Sequence, residues 1–376
     1  MPKKKKRVVV NEELFDDPMK KKRLRDVIVV RRSVVILFLI VFFFLLIIVF
    51  NDFLGYVFDN LTGKTNACGD GSFYNTCSLN KPYFCKQGIL LEKASTCGCE
   101  QGMKKQGERC VSNYNDGLEN ISLKYVLRGE ENYVDFAVYD GVANYLHNLP
   151  GFISYSAEEK PFRVDFKLKH INNEIQKNYL LPLVVQIQNL AETKEDQMRI
   201  AVSLVQHIDF GESEEVVNLG NGYSVAYSRY PYEVLYDGGG VCGEKSELLA
   251  FLLREIGYGV ILFYFEEENH EALGIKCPVR NSLEESGYCF IETSAPSIIT
   301  DNEILYEDET FLFSSPEMMF ISEGISLNKN LDEYDDAKDF KKIRKTLKER
   351  GVLEFLESEK LDNLKKKYGL VEIYSA

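Results

Sequence analysis

The longest apolar run in the chain, SVVILFLIVFFFLLIIVF at 33–50, contains no charge and no Pro, Gly, Asn or Asp. At ~1.5 Å rise per residue such a run extends ~27 Å as a helix, close to the ~30 Å hydrocarbon core of a bilayer. A helix also satisfies every backbone hydrogen bond internally, which lipid requires. The pattern therefore predicts a transmembrane signal anchor, set at 33–54. Beyond it the apolar positions become periodic. Residues 171–190 and 194–208 carry helical spacing, 209–240 is loop-rich, and EKSELLAFLLREI at 244–256 is a helix with Gly257 at its stop. Three strand-like runs follow at 259–265, 271–276 and 288–293, and 329–368 reads as charged surface helices. The short Tyr-, Val-, Phe- and Gly-containing runs over 117–165 settle on no class. Helices followed by strands predict an α+β domain.

Charge orients the anchor. Residues 1–32 hold twelve Lys and Arg against five acids, whereas Asn51, Asp52 and Asp59 open the far side. The positive-inside bias predicts a cytoplasmic N-terminus and a bulk chain outside, with membrane lipid as a partner through this one helix. A cleaved signal peptide fits less well, because the basic region is long and no small-x-small site follows Phe50. The PKKKKR run resembles a nuclear-localisation patch, but beside a spanning helix it reads as the topology signal or a lipid-surface contact. The whole chain is at −13, so the part beyond the basic tail is more acidic still, which argues against nucleic acid as a partner.

All nine cysteines follow the anchor. Six of them (Cys68, Cys77, Cys85, Cys97, Cys99 and Cys110) crowd a stretch with few aliphatics, too poor to bury a core. This composition predicts a six-cysteine disulfide module at 65–113, with its pairing open. A metal knuckle on Cys97-Gly98-Cys99 lacks a C-x-x-C pair and a nearby His, so no metal or other cofactor is expected. Cys277 and Cys289 flank a polar loop between two strand-like runs and are placed to bridge a hairpin. Cys242 is then the odd thiol. Asn60 (NLT) and Asn120 (NIS) match the glycosylation acceptor pattern.

The surroundings of Cys242 give a reason for a free thiol. Gly238-Gly239-Gly240-Val241-Cys242-Gly243 runs into the 244–256 helix, so Cys242 stands at a helix N-terminus, where free N–H groups favour negative charge. The glycines are expected to let a substrate backbone approach. The Cys242 N–H is a natural oxyanion donor. His270 opens the second strand-like run and Glu292 lies near the end of the third, an order suited to nucleophile, base and orienting carboxylate. Thr293 or a more distant acid is the alternative third member. Gln206 is a conceivable oxyanion donor, and His147, His170 and His207 have no comparable setting.

The segments YDGGGVCGEKSELLAFLLREIGYG, NHEALGIKC and YCFIETSAP resemble the transglutaminase-like (papain-like thiol) superfamily, in its microbial surface branch. RIAVSLVQHIDF resembles the helix that precedes the cysteine loop there, so the likeness covers about residues 120–300. The resemblance implies a catalytic triad of Cys242, His270 and Glu292. The family more often has Asp in the third place. The Trp of the large eukaryotic transglutaminases has no counterpart, since the chain contains none. The resulting expectation is a basic tail at 1–32, the anchor, the cysteine module, a transglutaminase-like domain at 114–325 and a charged helical segment at 326–376. Its expected activity is acyl transfer from a peptide or protein substrate through a Cys242 thioester. An inactive binding module or a structural surface protein is the alternative.

Overall fold

The computed structural model describes residues 66–100, 103–112, 114–149, 161–213, 215–220, 223–303 and 311–370. The expected tail and anchor at 1–54 lie outside the described residues. Among the described residues no helix is long and apolar enough to cross a membrane.

The cysteine module is two small hairpins, β1 (Tyr83–Lys86) with β2 (Ile89–Glu92) and β3 (Lys104–Gln106) with β4 (Arg109–Val111), around the helical turn α1 (Ala94–Cys97). Three disulfides staple it: Cys68–Cys85, Cys77–Cys97 and Cys99–Cys110. Its few buried side chains, Cys68, Tyr83, Cys85 and Leu90, close against Val185 of a neighbouring helix. Leu90 also exchanges backbone hydrogen bonds with the Asn189 amide at 2.9 and 3.2 Å. The described residues from 66 onwards form one compact unit.

A long hairpin follows, β5 (Leu118–Leu127) with β6 (Glu130–Tyr139), and then α2 (Asp140–His147). The helix expected at 171–190 is α4 (Glu174–Leu190), which starts three residues later than expected because a separate helix, α3 (Arg163–Ile171), ends there. Asn173 separates them because its Oδ1 caps α4, accepting from the N–H of Ile175 and of Gln176 at 3.0 and 3.1 Å. Next come α5 (Lys194–Gln206), β7 (Asp209–Phe210), the pair β8 (Val216–Gly220) and β9 (Tyr223–Ala226), α6 (Pro231–Asp237) and β10 (Gly239–Gly240).

The central element is α7 (Cys242–Ile256). Leu248, Leu249, Ala250, Phe251, Leu252 and Leu253 are fully buried in succession, so this stretch of the helix is apolar all round and sits inside the core. It ends where Gly257 adopts φ 114°, a left-handed backbone that suits glycine. The chain then forms β11 (Val260–Phe265), β12 (His270–Lys276), β13 (Tyr288–Ile291) and β14 (Glu317–Ser322), an antiparallel sheet in the order β13-β12-β11-β14. Alternate residues serve two cores. Val260, Leu262, Leu273, Ile275 and Ile291 join the main core with α7, while Ile261, Phe263, Phe265, Ala272 and Phe290 form a second cluster on the opposite face. Cys277 and Cys289 bridge the β12–β13 hairpin. The C-terminal helices α8 (Asp332–Arg350) and α9 (Phe355–Tyr368) are charged as expected, but α8 also buries Tyr334, Ala337, Phe340 and Ile343. The architecture is mixed α and β with four disulfides.

The pairing carries a prediction. Peptide mass mapping without reductant should recover Cys68–Cys85, Cys77–Cys97, Cys99–Cys110 and Cys277–Cys289, and Cys242 alone among the nine should take a thiol label. A native bridge to Cys242 would contradict the structure.

Candidate active site

Cys242 is the first residue of α7 and is held in place from both sides of the glycine loop. Gly238 ends α6 with φ 69°, a left-handed turn. Gly239 and Gly240 then run parallel to Asp209 and Phe210. A Cβ on Gly240 would stand 3.2 Å from Val234 Cγ2, so this glycine serves internal packing. The expected role of the glycines in admitting a substrate gives way, at Gly238 and Gly240, to a helix cap and a tight internal contact. Glu244, in the first turn of α7, accepts from the Val241 N–H at 3.1 Å and from the Arg229 N–H at 2.7 Å. Arg229 reaches Asp237 at 2.6 Å and the Gly211 carbonyl at 3.2 Å. Arg229 and Glu244 therefore fasten the loop on which the thiol is mounted.

His270 and Glu292 come together at one end of the sheet. Leu273 pairs with Ile291, so His270 before the one and Glu292 after the other fall at the same end and, by alternation, on the same face. His270 Nε2 lies 3.0 Å from Glu292 Oε2. The other carboxylate oxygen, Oε1, accepts from the Thr293 N–H at 2.9 Å, the Ser294 N–H at 2.8 Å and the Ser294 hydroxyl at 2.7 Å. Glu292 is fully buried, and these donors fix its plane. The longer arm of Glu relative to Asp is accommodated in this way.

The Cys242 side chain adjoins His270 closely enough to favour the charged form of its ring. Since Nε2 faces Glu292, the contact with the thiol falls to Nδ1. Burial opposes a charge on the imidazole, but Glu292 with its hydrogen bond, together with Cys242, outweighs it and raises His270 to about 10. At neutral pH the ring is an imidazolium beside the Glu292 carboxylate.

The alternatives fall elsewhere. The Thr293 hydroxyl donates to the Cys242 carbonyl at 3.1 Å and lies 2.9 Å from Ser246 Oγ, so it braces the helix start. Gln206 donates its amide to the Glu292 carbonyl at 2.8 Å and to Ser297 Oγ at 3.2 Å, supporting the strand end and not an oxyanion. His207 is tied to the Ser203 carbonyl at 2.7 Å, and His170 to Glu247 at 3.2 Å beside Lys167. No group of three or more His, Cys, Asp or Glu suited to a metal occurs among the described residues.

Sequence reasoning missed Lys245. It is fully buried one turn after Cys242 and donates to the carbonyls of Ile208 at 2.6 Å and Ser294 at 2.9 Å. A Lys one helical turn from Cys242, next to the apolar run that begins at Leu248, was the available signal.

No family model matches the chain, and no curated protein matches it in sequence. Among solved structures, calcium-bound LapG of Legionella pneumophila aligns with 47% of this chain and 98% of its own at 16% identity, with a TM-score of 0.25. The EGTA-treated form of the same protein gives 48%, 97%, 15% and 0.25. A further LapG structure covers 36% of this chain and 75% of its own at 15% identity, with a TM-score of 0.22.

Proposed function

We propose that the chain is a transglutaminase-like thiol enzyme that transfers an acyl group from a peptide or glutamine amide through a thioester at Cys242. The observation that carries this reading is the pairing of His270 with the buried Glu292 carboxylate at 3.0 Å beside Cys242, the first residue of a helix. The order of the three residues along the chain and the motif resemblance support it.

The chemistry follows from the charge state of His270. The proton that charges the ring is the thiol's, held on Nδ1, so attack begins from a thiolate beside an imidazolium. Sγ adds to the carbonyl carbon, and the oxyanion gathers at the Cys242 N–H, one of the amides that a helix start leaves without an intrahelical acceptor. The imidazolium returns its proton to the leaving amine as the C–N bond breaks and the thioester forms. Neutral His270 then takes a proton from the incoming acceptor, which attacks the thioester and restores the thiol. Water as acceptor makes the enzyme a protease or amidase, and a primary amine makes it a cross-linking transferase. Throughout, Glu292 keeps Nε2 protonated and the ring in plane.

The experiment is incubation of the protein with a defined peptide mixture, with and without a primary amine, followed by mass spectrometry. New termini or amine-modified glutamines that disappear in Cys242→Ala support the proposal. Product that persists in Cys242→Ala removes it, and a lack of product from wild type leaves the fold as a binding module.

The proposed setting is outside the cytoplasm, with the 33–54 segment as anchor. Four disulfides and one free thiol fit an oxidising compartment. Protease added to intact cells should remove the chain beyond about residue 60 and spare the basic tail. A fully protected chain would overturn this topology.

A further inference from the structure

Lys245 is an unusual tie. Burying an ammonium costs several kcal/mol unless it is paired. Yet its two direct hydrogen-bond partners, the Ile208 and Ser294 carbonyls, are neutral, and among the described residues no carboxylate forms an ion pair with it. A neutral donor bridges two carbonyls without the desolvation cost of a charge. The charges around it belong to the site. Glu292, Asp209 and Cys242 all favour its protonated form, and Lys245 in turn disfavours a charge on His207. Ser294, whose carbonyl it holds, also supplies two of the three donors to Glu292 Oε1. Ile208 adjoins Asp209, which runs beside Gly239 of the cysteine loop.

We infer that Lys245 is a positioning residue for the thiol site, a buried cation that fastens the Glu292 turn to the cysteine loop and supports negative charge at Glu292 and at the Cys242 sulfur. The inference rests on the thiol reading of Cys242 and extends it. Lys245 is fully buried and both of its hydrogen bonds go to backbone carbonyls, so it acts through the pair and not on the acyl group. Burial lowers Lys245 to about 8 against the pull of Glu292, Asp209 and Cys242, so the cation is present through neutral pH and is lost as pH rises through that value.

The test is the rate of iodoacetamide alkylation of Cys242 against pH in wild type, Lys245→Arg, Lys245→Gln and Lys245→Met, each checked for cooperative thermal unfolding. Arginine keeps charge and donors, glutamine keeps donors alone, and methionine keeps only the volume. At about pH 5.5 the Gln and Met proteins should react about tenfold more slowly, the equivalent of one pKa unit, and the Arg protein should recover most of the wild-type rate. A merely structural clamp predicts instead that Gln matches wild type, and that result overturns the inference. The His270→Ala protein separates the role of Lys245 from that of the thiol itself. If it is slow while Lys245→Gln is normal, the thiol reading stands and the role of Lys245 falls. If wild type and His270→Ala react alike, both fall.

Discussion

His270→Ala should lower the iodoacetamide alkylation rate of Cys242 at about pH 5.5 by on the order of 10²–10³-fold. Besides Lys245, two features favour negative charge on the sulfur, and their magnitudes decide which of the two matters. The α7 N-terminus contributes ~0.3–1 kcal/mol, less than a tenfold effect. An imidazolium within ~4 Å at an effective dielectric constant of about 20 contributes ~4 kcal/mol. His270 dominates because Glu292 and its hydrogen bonds hold it protonated to about 10 despite burial. In the Ala protein the helix start and Lys245 remain, and alkylation should move towards that of a free thiol, whose rate is low several units below ~8.5. The apparent titration values of the wild-type profile belong to the coupled pair and not to either group.

Glu292 should prove costlier to remove than its proposed orienting role alone requires. In Glu292→Ala the His270 cation loses its buried partner, a change that typically costs about 3–5 kcal/mol. The Thr293 N–H, Ser294 N–H and Ser294 hydroxyl lose their acceptor at the same time. Glu292→Gln keeps an acceptor for those donors and should cost only about 1–2 kcal/mol. Its amide turns an N–H towards Nε2, however, which drives the proton off that nitrogen and leaves Nδ1 unable to take the thiol proton. His270, followed by NMR, should then titrate well below the wild-type value of about 10. The sign of the linkage is fixed by the raised pKa. The stabilisation from the His270–Glu292 pair is fully present below ~6.5, the unfolded value, and is lost as pH rises through about 10. The unfolding free energies of wild type and Glu292→Gln should accordingly differ most in acid and converge above about 10. An unchanged His270 titration in Glu292→Gln would contradict the proposed orienting role.

Much of the site neighbourhood was legible because it rests on strong local signals. The α7 helix shows its apolar run and its Gly257 stop, and the β12–β13 hairpin shows two apolar runs with a cysteine at each inner end. Other elements were hidden for physical reasons. The β5–β6 hairpin turns at Arg128 and Gly129, both left-handed with φ of 54° and 84°. Asn-Gly is the usual sequence signal for such a turn, and here Arg128 instead bonds Asp196 at 2.9 and 3.0 Å, a partner 68 positions away. The α8 helix buries one narrow stripe, and its other faces are so charged that it read as a surface helix. Its Glu333 pairs with Arg199 at 2.5 Å and its Arg344 with Asp301 at 2.6 Å, links that no local pattern announces. The edge strand β14 was missed altogether. Lys245 was legible as a charge out of place, but what it ties together depends on the tertiary fold.

The most direct measurement is a pre-steady-state burst with p-nitrophenyl acetate, followed by intact and peptide mass spectrometry. A thiol activated by His270 should release about one nitrophenolate per protein, carry an acetyl group on Cys242, and discharge it over time as His270 activates the acceptor. His270→Ala should show neither a fast burst nor discharge. Equal acetylation rates in wild type and His270→Ala, or acetyl groups spread over lysines with Cys242 unmodified, would contradict it.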